Sequence, residues 1–86
     1  MTILVTGGAG FIGSNFILEW LSLKDEKVVN VDKLTYAGNL SNLEPVSKNK
    51  DYFFEKADIC DFLRINQLVD KYKPRAIIHF AAESHV

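Results

Sequence analysis

The sequence has little with which to make covalent, membrane or metal structure. Cys60 is its single cysteine, so no disulfide can form within the chain, and a reducing, cytoplasmic setting fits best. Charge of one sign is also missing: 10 Lys and Arg stand against 11 Asp and Glu, for a net charge of -1, so the basic footprint of a nucleic-acid binder is absent. No apolar run approaches the ~18 residues of a membrane span, and the N-terminus lacks a signal-peptide layout. There is no internal repeat and no low-complexity tract. His79 has no companions at metal-ligand spacing, so it reads as a satisfied core or edge residue and no metal is expected. Cys60 reads as a small, half-buried apolar side chain, since no neighbouring lysine or histidine would activate its thiol. With 86 residues, 48% of them apolar, one domain is the ceiling. A chain this short buries only a little over ~60% of its unfolded surface, so the core is expected to be thin.

What the sequence does have is glycine in one place. Thr6-Gly7-Gly8-Ala9-Gly10-Phe11-Ile12-Gly13 follows the apolar run Ile3-Leu4-Val5 and precedes a segment of helical periodicity. It therefore reads as a strand-to-helix turn. Glycines let backbone approach an anion closely, and the helix beyond offers unpaired N–H groups and the positive end of its dipole to a pyrophosphate. Two registers fit: Gly8, Gly10 and Gly13 satisfy G-x-G-x-x-G, and Gly7, Gly10 and Gly13 satisfy G-x-x-G-x-x-G. Gly10 (close approach) and Gly13 (helix against strand) keep their roles in both, so only the turn glycine is open. A lone glycine turn is weak evidence. Asp32, after Val28-Val29-Asn30-Val31 and about 20 residues on, adds an acid where a ribose 2′-hydroxyl would be gripped.

Taken in order, residues 2 to 6 form a strand apolar on both faces, as in a buried parallel sheet. Phe11 to Leu23 form a helix whose stripe Ile12, Phe16, Trp20 and Leu23, widened by Ile17 and Leu21, would lie on the sheet. Trp20 is read as packing, not as a ligand platform. Lys24-Asp25-Glu26-Lys27 is a solvated corner, and Val28 to Val31 the second strand. Residues 33 to 50 are less regular, with only Leu40 to Val46 able to form a short helix. Leu34, Thr35 and Tyr36 there either meet a cofactor or anchor a surface loop. Tyr52 to Lys56 is a third strand, which brings Asp58 and Ile59 to the carboxyl edge where ligands of doubly wound sheets collect.

Asp61 caps a helix running to Tyr72 with apolar positions Ile65, Leu68, Val69 and Tyr72, and Pro74 closes it. Ala76 to Phe80 is a fourth strand, and Ala81 to Val86 opens a loop in which small Ala81 and Ala82 would admit a cofactor and Ser84 and His85 would meet a substrate. The pattern predicts an α/β fold: a partial Rossmann, or doubly wound, parallel sheet of four strands in the order 3-2-1-4 with flanking helices. The open edge of the fourth strand predicts self-association through residues 76 to 80.

Thr6 to Gly13, Asp32 and the run ending Ala81-Ala82 resemble the extended short-chain dehydrogenase/reductase superfamily over the whole chain. Within it, Leu34-Thr35-Tyr36-Ala37-Gly38-Asn39-Leu40, Ala57-Asp58-Ile59-Cys60-Asp61 and His79-Phe80-Ala81-Ala82-Glu83-Ser84-His85-Val86 are similar to the N-terminal segment of the dTDP-glucose 4,6-dehydratase family. GDP-mannose 4,6-dehydratases share Ser-His-Val but typically differ where Glu83 stands, and sugar epimerases usually depart from Ala-Glu-Ser-His altogether.

The resemblance implies NAD as cofactor, a dTDP-sugar as substrate and a lyase that removes water across C5 and C6 of the sugar after transient oxidation at C4. By the same resemblance, Phe11 and Ile12 would meet the pyrophosphate through their N–H groups. Asp32, Lys33, Leu34 and Thr35 would meet the adenosine ribose, and Asp58 and Ile59 would border the adenine. Phe80, Ala81, Ala82 and Ser84 would line the route to the nicotinamide, Ser84 also touching substrate. Asp32 favours NAD over NADP by repelling a 2′-phosphate, and Lys33 is discordant with that preference.

The family's Tyr-x-x-x-Lys and Asp-Glu pairs are expected beyond residue 86, so no catalytic residue is assigned within the chain. Tyr52 and Lys56 match the bare spacing, but a strand does not stack positions four apart as a helix does. The expectation is thus an N-terminal part of an NAD-binding domain over residues 1–86, without its substrate domain, inactive alone and homodimeric when full length. Alternatives are another NAD-dependent nucleotide-sugar dehydratase or epimerase, and a stand-alone nucleotide-binding module.

Overall fold

Short β-branched runs separated by glycine, charge and proline leave this chain few places for strands, and the computed structural model, which describes residues 1–34 and 40–80, has four. They are β1 (Thr2–Thr6), β2 (Lys27–Asp32), β3 (Tyr52–Lys56) and β4 (Ala76–His79), all parallel, in the order β3-β2-β1-β4. In register, Leu4 lies between Val29 and Ile77, and Val29 beside Phe53. The predicted order stands. β2 extends one residue beyond the apolar run at each end, and β4 stops at His79, although the Phe80 amide still donates to the Thr6 carbonyl at 2.8 Å.

Alternation along the central strands gives the sheet two apolar faces, and each face takes a helix. On one, Ile3, Val5 and Val28 pack with Ile17 of α1 (Phe11–Leu23) and with Leu43 of a 3₁₀ helix, Leu40–Val46. On the other, Leu4, Val29 and Val31 pack with Ala57 and with Leu68 of α2 (Phe62–Tyr72), flanked by Ile65, Val69 and Tyr72. The α2 stripe is the one the periodicity predicts. Asp61 caps this helix, its carboxylate accepting from the Arg64 amide at 3.2 Å, and Lys73 ends it in the left-handed region ahead of Pro74.

The face of α1 differs from expectation. Gly13, Ser14 and Ile17 are its buried residues, whereas Ile12 and Leu23 are 64% and 70% exposed. Asn15, Glu19 and Ser22, at i, i+4 and i+7, form the exposed side of α1, so Ile17 opposite them faces the sheet and Ile12 and Leu23 fall beside the polar stripe; close contact at Gly13 seats the helix in that rotation. Trp20 does pack, half-buried and stacked on Phe16 with centroids 5.3 Å apart.

Two smaller expectations also change. Cys60 is exposed, because it lies in the turn between Ala57 and the α2 cap, where backbone hydrogen bonds rather than apolar contacts hold the chain. The corner before β2 is not wholly solvated. Glu26 is 8% exposed and binds Arg75 through both carboxylate oxygens, at 2.5 and 2.9 Å, tying the start of β2 to the start of β4. The Arg75 guanidinium holds the Glu26 carboxyl below the usual carboxylate range.

Candidate functional site

The C-terminal ends of β1 and β2 and the N-terminus of α1 converge, and the residues there explain the glycines. Gly7 has φ of 72°, the left-handed region that glycine enters without penalty, and its amide donates to the Val31 carbonyl at 2.9 Å. That identifies Gly7 as the turn glycine and selects the register Gly7, Gly10, Gly13. Gly8 serves packing: a Cβ there would lie 2.3 Å from Asn30 Oδ1 and 2.5 Å from Ile17 Cδ1. At Gly13 a Cβ would lie 2.5 Å from the Gly7 carbonyl oxygen, so only glycine lets α1 begin this close to the turn. Gly10 is the N-cap and contributes no side-chain cap. The first-turn N–H groups, those of Phe11 and Ile12 among them, have no intrahelical acceptor in any α-helix. Here the positive end of a 13-residue helix meets a turn stripped of side chains.

Asp32, at the end of β2, joins this turn to the next loop. Its Oδ2 accepts from the Ala9 amide at 2.9 Å, and its Oδ1 accepts from the Leu34 amide at 2.8 Å. Leu34 itself has φ of 58°, uncommon for a side chain of its size, and the Asp32 bond closes the tight turn that holds it. Behind the loop, Asn42 Nδ2 donates to the Ala9 carbonyl at 3.2 Å, and Asn30 Nδ2 donates to the Tyr52 hydroxyl at 3.1 Å. Burial pushes the Tyr52 hydroxyl pKa up. Sequence reasoning missed Asn30 and Asn42. Asn30 interrupts an otherwise apolar strand run, and a polar residue there is itself a signal of a buried hydrogen-bond partner.

Further along the same edge, Lys33 Nζ lies 3.5 Å from Asp58 Oδ2. The Asp58 carboxyl is held below the usual range first by the Cys60 amide, which donates to its Oδ1 at 2.9 Å, and then by the Lys33 ammonium. Ile59 beside it is half-buried. At the end of β4, His79 is exposed, with its Nδ1 2.5 Å from Thr6 Oγ1. Phe80 is half-buried and packs its ring against Phe16, centroids 5.6 Å apart, on the α1 face of the sheet. Thr35, Tyr36, Ala81, Ala82, Ser84 and His85 lie outside the described residues. Tyr52 and Lys56 belong to β3, and the Tyr52 hydroxyl is engaged by Asn30.

Gly7, Gly10, Phe11, Ile12, Gly13 and Asp32 are thus brought together at one sheet edge, with Lys33, Leu34, Asp58 and Ile59 along its flank. Among the described residues, no group of three or more His, Cys, Asp or Glu could hold a metal ion, and no helix is long and apolar enough to cross a membrane.

A parallel sheet in this order, with a side-chain-free turn entering a helix and an acid closing the next strand, defines a Rossmann-type fold. The GDP-mannose 4,6 dehydratase family model matches residues 4–86, and the chain belongs to that family. It is 52% identical over its whole length to dTDP-glucose 4,6-dehydratase of Salmonella typhimurium (strain LT2), covering 24% of that protein. It is 56% identical to a probable dTDP-glucose 4,6-dehydratase of Sinorhizobium fredii, again covering 24%. Among solved structures, dTDP-glucose 4,6-dehydratase from Bacillus anthracis in complex with NAD superposes with a TM-score of 0.92 at 44% identity, over 98% of this chain and 27% of that one. The UDP-Glc/GlcNAc 4-epimerase of Campylobacter jejuni superposes with a TM-score of 0.85 at 33% identity, over 95% of this chain and 24% of that one. The chain spans about a quarter of the length of the relatives it matches.

Proposed function

We propose that this chain is the N-terminal, NAD-binding segment of a dTDP-glucose 4,6-dehydratase, a lyase acting on a dTDP-sugar. The observation that carries the cofactor assignment is the cradle at Gly13: a Cβ would fill the gap between α1 and the Gly7 carbonyl, and leaving it open keeps the helix N-terminus at the turn. The dinucleotide fits that cradle. Gly7, Gly10 and Gly13, with the N–H groups of Phe11 and Ile12, would hold the pyrophosphate. Asp32 would hold the ribose, Lys33, Leu34 and Thr35 would flank it, and Asp58 and Ile59 would border the adenine. Phe80, Ala81, Ala82 and Ser84 would line the way to the nicotinamide. Bound there, NAD supplies reversible hydride acceptance. This chain's own residues bind and orient it, and the groups that handle protons belong to the three-quarters of the relatives' length that this chain does not match.

The dTDP-glucose relatives favour that enzyme over other sugar-nucleotide dehydratases and epimerases. A cytoplasmic setting, a homodimer for the full-length enzyme and self-association of the 86-residue chain through β4 are parts of the same proposal.

Calorimetric titration of NAD, and separately of ADP, into the chain tests it, alongside Asp32→Ala. Both ligands are expected to bind, and Asp32→Ala is expected to weaken both about tenfold, the scale of losing a hydrogen bond to a charged group. A folded chain that binds neither, or product formed by the 86-residue chain alone, would overturn the assignment.

A further inference from the structure

Asp32 and Lys33 are neighbours in sequence and part company in space. The Asp32 carboxylate turns back to the Ala9 and Leu34 amides, whereas the Lys33 ammonium reaches across to Asp58 at the exit of β3. A dinucleotide site that takes NADP needs a cation near the ribose 2′ position, and one that takes NAD needs an acid there. Lys33 is a cation in the right stretch of chain for the first role, and its partner decides whether it can play it. We propose that Asp58 is a specificity-determining residue: by pairing with the Lys33 ammonium it holds that charge at the β3 exit, away from the 2′ position of the ribose that the Lys33 backbone flanks, and keeps the site selective for NAD over NADP. The inference rests on the dinucleotide site proposed above.

Three features of the pair support this assignment. Both side chains are a little under half exposed, at 45% and 43%, so Lys33 is free to swing toward another anion once its partner is gone. Asp58 is fixed on its other side, where Oδ1 accepts from the Cys60 amide, so the carboxylate does not follow Lys33 if the lysine moves. An exposed pair of this kind is a modest restraint, which suits a bias between two ligands better than an absolute gate.

The test is a double-mutant cycle with NAD and NADP as probes. Asp58→Asn removes the charge and keeps an amide oxygen to accept from Cys60, so the turn before α2 is retained. In that variant the affinity ratio of NADP to NAD is expected to rise about two- to fivefold, the scale of one exposed ion pair. On a Lys33→Ala background the same Asp58→Asn change is expected to leave the ratio where it was.

An unchanged ratio in Asp58→Asn, or an equal rise with Lys33 absent, would overturn the proposal; the latter would show simple loss of repulsion. Equal weakening of both dinucleotides would place Asp58 against the adenine alone and overturn it too. If wild-type protein takes up neither dinucleotide, the site itself fails, which is a different result from uptake of NAD with an unmoved ratio.

Discussion

A methyl group on Gly13 would sit 2.5 Å from the Gly7 carbonyl oxygen and 2.9 Å from the Gly8 Cα, both backbone atoms. A methyl on Gly8 would meet Asn30 Oδ1 and Ile17 Cδ1, the far ends of side chains, so the two glycines are crowded in different ways. Side-chain ends can rotate aside at modest cost, whereas the turn at Gly7 is fixed by its bond to Val31 and by its positive φ. Gly13→Ala therefore has to lift α1 off the turn. Overpacking of this kind costs about 1–3 kcal/mol, set against about 1 kcal/mol that alanine returns as helix propensity. The expected outcome is a lower urea midpoint together with weaker NAD binding, since the lifted helix withdraws its N–H groups from the cradle. An alanine variant with the wild-type midpoint and affinity would show that α1 can move away freely.

At the level of elements, β4 is the least covered part of the sheet. Ile77 lies in register with buried Leu4 on the face that α2 covers, yet it is 54% exposed, because the α2 stripe packs over Leu4, Val29, Val31 and Ala57 and stops short of it. An apolar strand bonded to β1 on one side and bare on its face invites a second chain. Light scattering over rising concentration is expected to show association, and Ile77→Lys to reduce it; a wild-type chain that stays monomeric at high concentration would sink the idea. The elements were legible in the sequence where the signal is local. Strand order followed from counting apolar runs and right-handed crossovers, and the α2 face from a stripe with polar residues around it. The rotation of α1 was legible from its polar side, Asn15, Glu19 and Ser22 at i, i+4 and i+7, which puts Ile17 opposite them on the sheet; a stripe drawn through Ile12 and Leu23 runs along the margin of that polar side.

Across the whole molecule, the polar contacts that tie elements together follow no fixed spacing, and for that reason the sequence hides them. The glycine spacing and Asp32 could be read because a turn that cradles a pyrophosphate beside a ribose requires those residue types at that spacing. Glu26 with Arg75, 49 residues apart, and Glu55 with three partners on α2 depend on which strand lands beside which helix. Glu55 is the larger hub. Its side chain is 15% exposed on strand β3 and accepts from Arg64 at 2.9 Å, Lys71 at 3.2 Å and the Tyr72 hydroxyl at 2.5 Å, binding α2 to the sheet opposite the α1 layer. Tyr72, then Lys71 and Arg64, hold its carboxyl below the ordinary value of 4.5. A carboxyl depressed in the folded state contributes stability that is fully present above its unfolded value and is lost as pH falls through the folded one. The chain is therefore expected to lose stability on acidification from neutral pH to about pH 3. Glu55→Gln keeps an acceptor for the Tyr72 hydroxyl and removes the charge, so it should be less stable than wild type at neutral pH and lose less on acidification. Urea midpoints for both proteins at the two pH values check this. A gap between them that is equally wide at both would mean that Glu55 contributes through shape and hydrogen bonding alone, and that other carboxylates, Glu26 foremost, carry the acid sensitivity.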